Sequence, residues 1–219
     1  AAILVDEGLL DWDTPVKQYI PEFDLVDQLA AERMTIGDLL SHRGGLPRHD
    51  GVWYGTSFSR KEVFERLKYL QPSADFRTTY QYQNMMFMAA GYLIERITGQ
   101  TWEVFTRRHI LEPLGMSRTT LGVEGLRQTE NVAVPYGVSN GENKSMPYRD
   151  LDVIAPAGGV NSCLADLAKW VCMQLEGGSL ENHTIVSTEN LFVTHTAHTN
   201  LEDNHNRLLL PFKEIGKEQ

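Results

Sequence analysis

The residues of this 219-residue sequence best suited to chemistry are Tyr82-Gln83-Asn84. A tyrosine hydroxyl titrates near ~10 in water, so it acts as a base at neutral pH only where a neighbouring cation stabilises the phenolate. An asparagine two residues on, at a helix start, adds a carboxamide that orients a substrate amide while the phenol moves a proton. Taken alone, the triplet is better accounted for by a packed aromatic with a wet hydroxyl and an asparagine that caps a helix.

The remaining candidates are weaker. His42 and His49 flank Gly44-Gly45-Leu46-Pro47-Arg48, but a cation favoured at a helix C-terminus accounts for His42. His195, His198 and His205 crowd toward the end of the chain. His195 and His198 share a helix face, yet no suitably spaced carboxylate or thiolate completes a zinc site. They read as surface histidines, and no metal or other cofactor is expected. Cys163 and Cys172, placed on one expected helix, point to opposite sides and are not expected to pair. The sequence has no G-x-S-x-G, dinucleotide-binding glycine pattern, phosphate loop, H-E-x-x-H or calcium loop.

The elements that must position Tyr82 are chiefly helical. Thr35 to Asp38 form a capping-box pattern that predicts a helix over Ile36 to His42, ended by Gly44-Gly45. A second box, Ser59 to Glu62, is followed by Val63, Phe64, Leu67 and Leu70 at helical spacing and stopped by Pro72. Asn84 is expected to cap a helix from Met85 to Thr98 with Met85, Met88, Ala89, Tyr92, Leu93 and Ile97 on its apolar face, closed by Gly99. Thr101 opens another to about Leu111, before Pro113. Residues 117 to 155 are expected to be irregular or short-stranded. Ser162 is expected to cap a helix from Leu164 to Leu175, ended by Gly177-Gly178, and Ser187 to His195 forms one more.

Composition sets the limits. Hydrophobic residues make up 42% and charged residues 22%, which fits a packed domain rather than a disordered chain. The formal charge of −9 argues against binding nucleic acid or an anionic membrane surface. The longest uncharged apolar run, Met85 to Ile94, is far short of the ~20 residues a transmembrane helix needs. Ala1 to Glu7 read as the last turns of a helix capped by Gly8. The stretch from Leu208 to Gln219 lacks an evident closing element, so a piece of a longer protein is expected.

The surroundings of Tyr82 carry a resemblance. DLLSHRGGLP (38–47), the YQN of 82–84 with AGYLIERITG (90–99), ILEPLGM (110–116) and PAGGVNSCLADLAKW (156–170) occur in the order and spacing of the serine β-lactamase-like family. That family holds class C β-lactamases, D-alanyl-D-alanine peptidases and related esterases. Leu4 to Gly8 and Thr14 to Val16 fit the helix tail and loop that follow the family's nucleophile.

The resemblance implies an α+β serine β-lactamase/DD-peptidase-like fold. Residues 1–219 would be a single partial catalytic domain, truncated at both ends, holding mostly the helical region and lacking parts of the antiparallel sheet. The family signature is Ser-x-x-Lys, Tyr-x-Asn and an edge-strand Lys-Thr-Gly or His-x-Gly. Tyr82 matches the catalytic base and Asn84 the substrate-binding amide; Gly158 and Gly159 would line the pocket floor, a tight turn being the alternative. Arg48 and His49 would edge the cleft without an assigned role, and Trp53, Tyr54 and Trp102 are candidates for shaping it. Neither Ser-x-x-Lys nor Lys-Thr-Gly occurs in the 219 residues, and no edge-strand His-x-Gly is expected. The complete protein would be a serine hydrolase forming an acyl-enzyme with β-lactams, D-amino-acid peptides or esters, this fragment being inactive. A non-catalytic peptidoglycan- or peptide-binding relative is the alternative. The partner implied is a small-molecule or peptide substrate, the location periplasmic or secreted, and no oligomeric state follows.

Overall fold

The structure, a computed structural model, describes residues 1–200. Helix α1 (Ala2–Asp6) ends at Gly8, whose φ of 68° lets the amides of Gly8 and Leu9 turn back to the carbonyls of Val5 and Leu4. Short helices α2 (Val16–Tyr19) and α3 (Gln28–Arg33) lead to α4 (Ile36–Leu40), whose Thr35/Asp38 capping box is formed in both directions. Helix α4 stops at Ser41, before the expected His42. His42 itself takes the left-handed position, with φ of 58°, ahead of the glycine pair.

Helix α5 (Arg60–Arg66) starts from its own capping box and runs into a 3-10 turn at Leu67–Tyr69. The central helix α6 (Asn84–Thr98) closes at Gly99. Its cap is Gln83, not Asn84: the Gln83 carboxamide accepts from the Met85 amide at 3.1 Å, so Asn84 is already the first helical residue. Helix α7 (Trp102–Thr106), capped by Thr101, continues as a π-helical turn to Leu111.

The rest of the chain alternates short strands and helices: β1 (Thr120–Leu121), α8 (Val123–Arg127), β2 (Tyr136–Ser139), β3 (Glu142–Ser145), α9 (Ala155–Gly158), β4 (Val160–Asn161), α10 (Leu164–Leu175), β5 (Ser179–Leu180), β6 (His183–Thr184) and α11 (Thr188–His195). They form three two-stranded antiparallel ribbons, β1 with β4, β2 with β3 and β5 with β6. Asn140 and Gly141, both at positive φ, turn the β2–β3 hairpin as a type I′ loop requires. Helix α10 is not capped by Ser162, whose hydroxyl pairs with Thr119 Oγ1 at 2.7 Å. Cys163 takes the cap position without a side-chain bond, so the two cysteines do not share the helix; both are free thiols.

Helix α6 is the centre of the main core, with Met85, Met88, Ala89 and Leu93 fully buried between α4, α5 and α9. Arg60 ties this region together. Its guanidinium bonds Glu95 on α6, Glu103 on α7 (2.6 Å) and the carbonyls of Asp152 (3.1 Å) and Val153 (3.3 Å) just before α9. A smaller core joins Leu111, Leu114 and Met116 to Met173, Ile185 and Leu191, while Leu164 and Leu175 at the ends of α10 stay exposed.

Helix α9 crosses α6 at Gly91, where a Cβ would fall 2.2 Å from Pro156 Cγ. Gly91→Val is therefore expected to cost about 1–3 kcal/mol through overpacking that the rigid proline ring cannot relieve, read as a lower urea midpoint at an unchanged m-value.

Candidate active site

Gln83 is extended (φ −145°, ψ 109°), so successive side chains of the triplet alternate in direction. Tyr82 turns outward and is 43% exposed, whereas Gln83 turns inward and is 1% exposed. Every polar group of Gln83 is engaged. Its backbone amide donates to His42 Nδ1 at 3.1 Å, its Nε2 donates to the Pro47 carbonyl, and its Oε1 caps α6. One residue before the tyrosine, the Gln81 amide donates to the His42 carbonyl at 2.7 Å.

The Tyr82 ring lies 4.7 Å from the His42 ring, centroid to centroid, and the Arg48 guanidinium carbon stands 5.3 Å from its centroid. The contact is a cation–π one to the ring face, made by a guanidinium that also pairs with Asp50. Asn84 is half-buried at the start of α6, and its Nδ2 makes a long 3.4 Å contact to Asp50 Oδ1. Asp50 also accepts from Trp53 Nε1 at 3.2 Å and, through Oδ2, from Arg48 Nε at 2.8 Å. With one amide hydrogen directed at Asp50, the carboxamide carbonyl and the second hydrogen of Asn84 are available for a substrate amide.

His42 departs from its expected role as a cation at a helix C-terminus. Its ring stacks on Phe87 at 4.9 Å and meets Tyr80 edge-on at 5.5 Å. This burial lowers its pKa to about 4, so the imidazole is neutral at pH 7 and offers Nδ1 as an acceptor. Tyr80 is held above the usual phenol range by burial first and by the neighbouring Tyr82 second. Below the site, the fully buried Asp38 carboxylate binds Arg43 and Arg77, which lie on the two chain segments carrying His42 and Tyr82.

Of the glycines expected on the pocket floor, Gly158 ends α9 and Gly159 is its C-terminal cap. Pro156 of α9 packs on Gly91, two turns and about 10 Å along the axis from Asn84. Gly158 and Gly159 line a small cavity of about 170 Å³ with Leu126, Tyr148, Leu151 and Asn161. A Cβ on Gly159 would meet Ala155 Cβ at 2.6 Å, whereas one on Gly158 would make only an ordinary 3.9 Å contact with Leu151 Cδ1.

By letters alone His42-Arg43-Gly44 and His49-Asp50-Gly51 satisfy His-x-Gly. The first follows α4 in a turn and the second enters a 3-10 turn, so neither is on a strand. His49 bonds the Gln71 carbonyl at 3.0 Å. Trp53 is buried, Tyr54 is exposed, and Trp102 packs on the main core. His195 bonds Gln174 at 2.8 Å and His198 the Val193 carbonyl at 2.9 Å; His205 and the stretch from Leu208 lie outside the described residues. Sequence reasoning gave no part to Gln83 or Asp50.

The β-lactamase family model matches residues 1–206. The chain belongs to the β-lactamase family. Over 187 residues it is 35% identical to the unguisins hydrolase of Aspergillus campestris, covering 80% of this chain and 35% of that protein. It is 29% identical to penicillin-binding protein 4 of Amycolatopsis lactamdurans, covering 84% of this chain and 49% of that protein. The chain thus spans between about a third and a half of these relatives. The octameric penicillin-binding protein homologue from Pyrococcus abyssi superposes with a TM-score of 0.68 at 27% identity, over 90% of this chain and 45% of that one. The D-amino acid amidase from Ochrobactrum anthropi with D-phenylalanine does so with a TM-score of 0.69 at 23% identity, over 87% and 55%. The fold is that of the serine β-lactamases and penicillin-binding proteins, here rich in helix with short antiparallel ribbons.

Proposed function

We propose that the complete protein cleaves amide or ester bonds by forming an acyl-enzyme on a serine, with Tyr82 as proton carrier and Asn84 as holder of the substrate's amide. The observation that carries this reading is the exposed Tyr82 ring with Arg48 over it and Asn84 beside it. Residues 1–219 contain no Ser-x-x-Lys, so the proposal takes nucleophile and lysine from outside them. The phenolate accepts the serine proton as the hydroxyl attacks the carbonyl, and returns it to the leaving nitrogen or oxygen as the acyl bond breaks. Backbone amides at the nucleophile would hold the oxyanion. In this reading the small cavity lined by Gly158 and Gly159 takes a remote part of the substrate.

Relatives described as a hydrolase of unguisins and as an amidase of D-amino acids make the amide bond the first to test. β-Lactams and esters are the other two classes that the same constellation serves.

The test compares residues 1–219 with the longer protein this proposal requires, one that carries a Ser-x-x-Lys, on nitrocefin, a D-Ala-D-Ala peptide and p-nitrophenyl butyrate. Removing the nucleophile of a catalytic unit costs ~10⁶-fold, so no turnover above background is expected from residues 1–219. The longer protein should cleave at least one substrate and carry its acyl group covalently by mass spectrometry. Equal turnover by both would overturn the assignment of the nucleophile, and a longer protein that binds but never becomes acylated would overturn the hydrolase reading.

A further inference from the structure

We propose that His42 is a positioning residue that clamps Tyr82 from both sides of the chain. This rests on the reading of Tyr82 as proton carrier. His42 reaches Tyr82 and its two neighbours through three separate contacts, one from its main chain and two from its ring. Its backbone carbonyl takes the amide before the tyrosine, from Gln81 at 2.7 Å. Its Nδ1 takes the amide after it, from Gln83 at 3.1 Å. Its ring face lies 4.7 Å from the phenol ring itself.

Such a clamp demands an unusual backbone. With φ of 58°, His42 points carbonyl and ring toward the same neighbouring segment, a conformation that most side chains avoid and that Asn and His tolerate best. The ring is sandwiched by Phe87, one turn into α6, so the clamp is referenced to the central helix rather than to a loop. Because Nδ1 accepts, the proton of the neutral ring resides on Nε2. A proton carrier misplaced by an ångström loses up to ~10²-fold in rate, which is the scale on which such seating matters.

Two substitutions separate the contacts. In His42→Asn, Oδ1 is bonded to Cγ as Nδ1 is in histidine, and asparagine accepts the left-handed backbone; the acceptor is kept and the ring lost. In His42→Phe the ring is kept and the acceptor lost. Amide hydrogen exchange on residues 1–219 is expected to speed up at Gln83 at least about tenfold in His42→Phe and to change less than about threefold in His42→Asn. Gln81, bonded to the main chain of residue 42, should be unchanged in both. In the complete protein as proposed above, His42→Phe should lower kcat about 10–100-fold with KM within about twofold, and His42→Asn should recover part of it. Should the phenylalanine variant fail to fold, ¹⁵N-histidine spectra of the unmodified chain at pH 7 must show the Nε2–H tautomer. An Nδ1–H tautomer, or a Gln83 amide indifferent to His42→Phe, overturns the clamp. A freed Gln83 amide with undiminished kcat, in a protein that Tyr82→Phe inactivates, overturns the positioning role. If Tyr82→Phe is fully active, the proton-carrier reading fails instead, while the exchange data still decide the clamp.

Discussion

In the complete protein as proposed above, Tyr82→Phe is expected to lower kcat about 10²–10⁴-fold, the usual contribution of a positioned acid–base group, while KM stays within about threefold. The size follows from what the substitution leaves in place. Tyr82 meets His42 and Arg48 through its ring, and phenylalanine presents that same ring to both. The residue is 43% exposed, so removing its hydroxyl strands no buried partner. Stability should therefore shift by less than about 0.5 kcal/mol, as at most exposed positions. An unaltered unfolding midpoint combined with lost turnover would assign the loss to the missing proton path. Turnover within threefold of the parent protein would show that the phenol carries no proton in the slow step.

How legible this site was in the sequence depends on how local each cause is. The capping boxes at Thr35 and Ser59 and the closing glycines at 8 and 99 act within one turn, so they form as read. Asn84 was displaced as cap because Gln83 finds partners 36 and 41 residues away, at Pro47 and His42, that no local rule contains. For His42 the attraction of a cation to a helix C-terminus, worth about 1 kcal/mol at best on a surface, loses to burial among Tyr80, Tyr82 and Phe87. The ribbon at Tyr136–Ser145 had a turn signal in Asn140-Gly141 but no alternation around it. Both its strands are largely exposed, so no buried face imposed a period of two. Asp50 was hidden for a related reason: it works from a 3-10 turn whose shape is set by Trp53 and Arg48 rather than by any helix or strand pattern.

Asp38→Asn is expected to remove about 3 kcal/mol of stability at pH 7, the largest single loss beneath the site. The carboxylate is fully buried and accepts from the Thr35 amide at 2.9 Å, Arg43 Nε at 2.5 Å, and Arg77 Nε and Nη2 at 2.9 and 2.7 Å. Breaking a buried pair costs about 3–5 kcal/mol, and the lower end applies because Arg43 and Arg77 are partly exposed and recover hydration. Burial by itself would raise the Asp38 pKa. The hydrogen bonds from Arg77 and Thr35 and the charges of Arg43 and Arg77 outweigh it, so the folded value lies below 3.8. Between the folded and unfolded values the unfolded chain binds more protons, so this contribution is complete above about pH 5 and is lost as pH falls through the folded value. The neutral asparagine has no such dependence. The difference in urea stability between the two proteins should therefore be constant from pH 7 to 5 and shrink below pH 4. His42, whose folded pKa of about 4 weakens the fold as pH drops below about 6.5, does so in both proteins and cancels from the difference. A gap that stays constant down to pH 3 would mean that shape rather than charge holds the two arginine-bearing segments together.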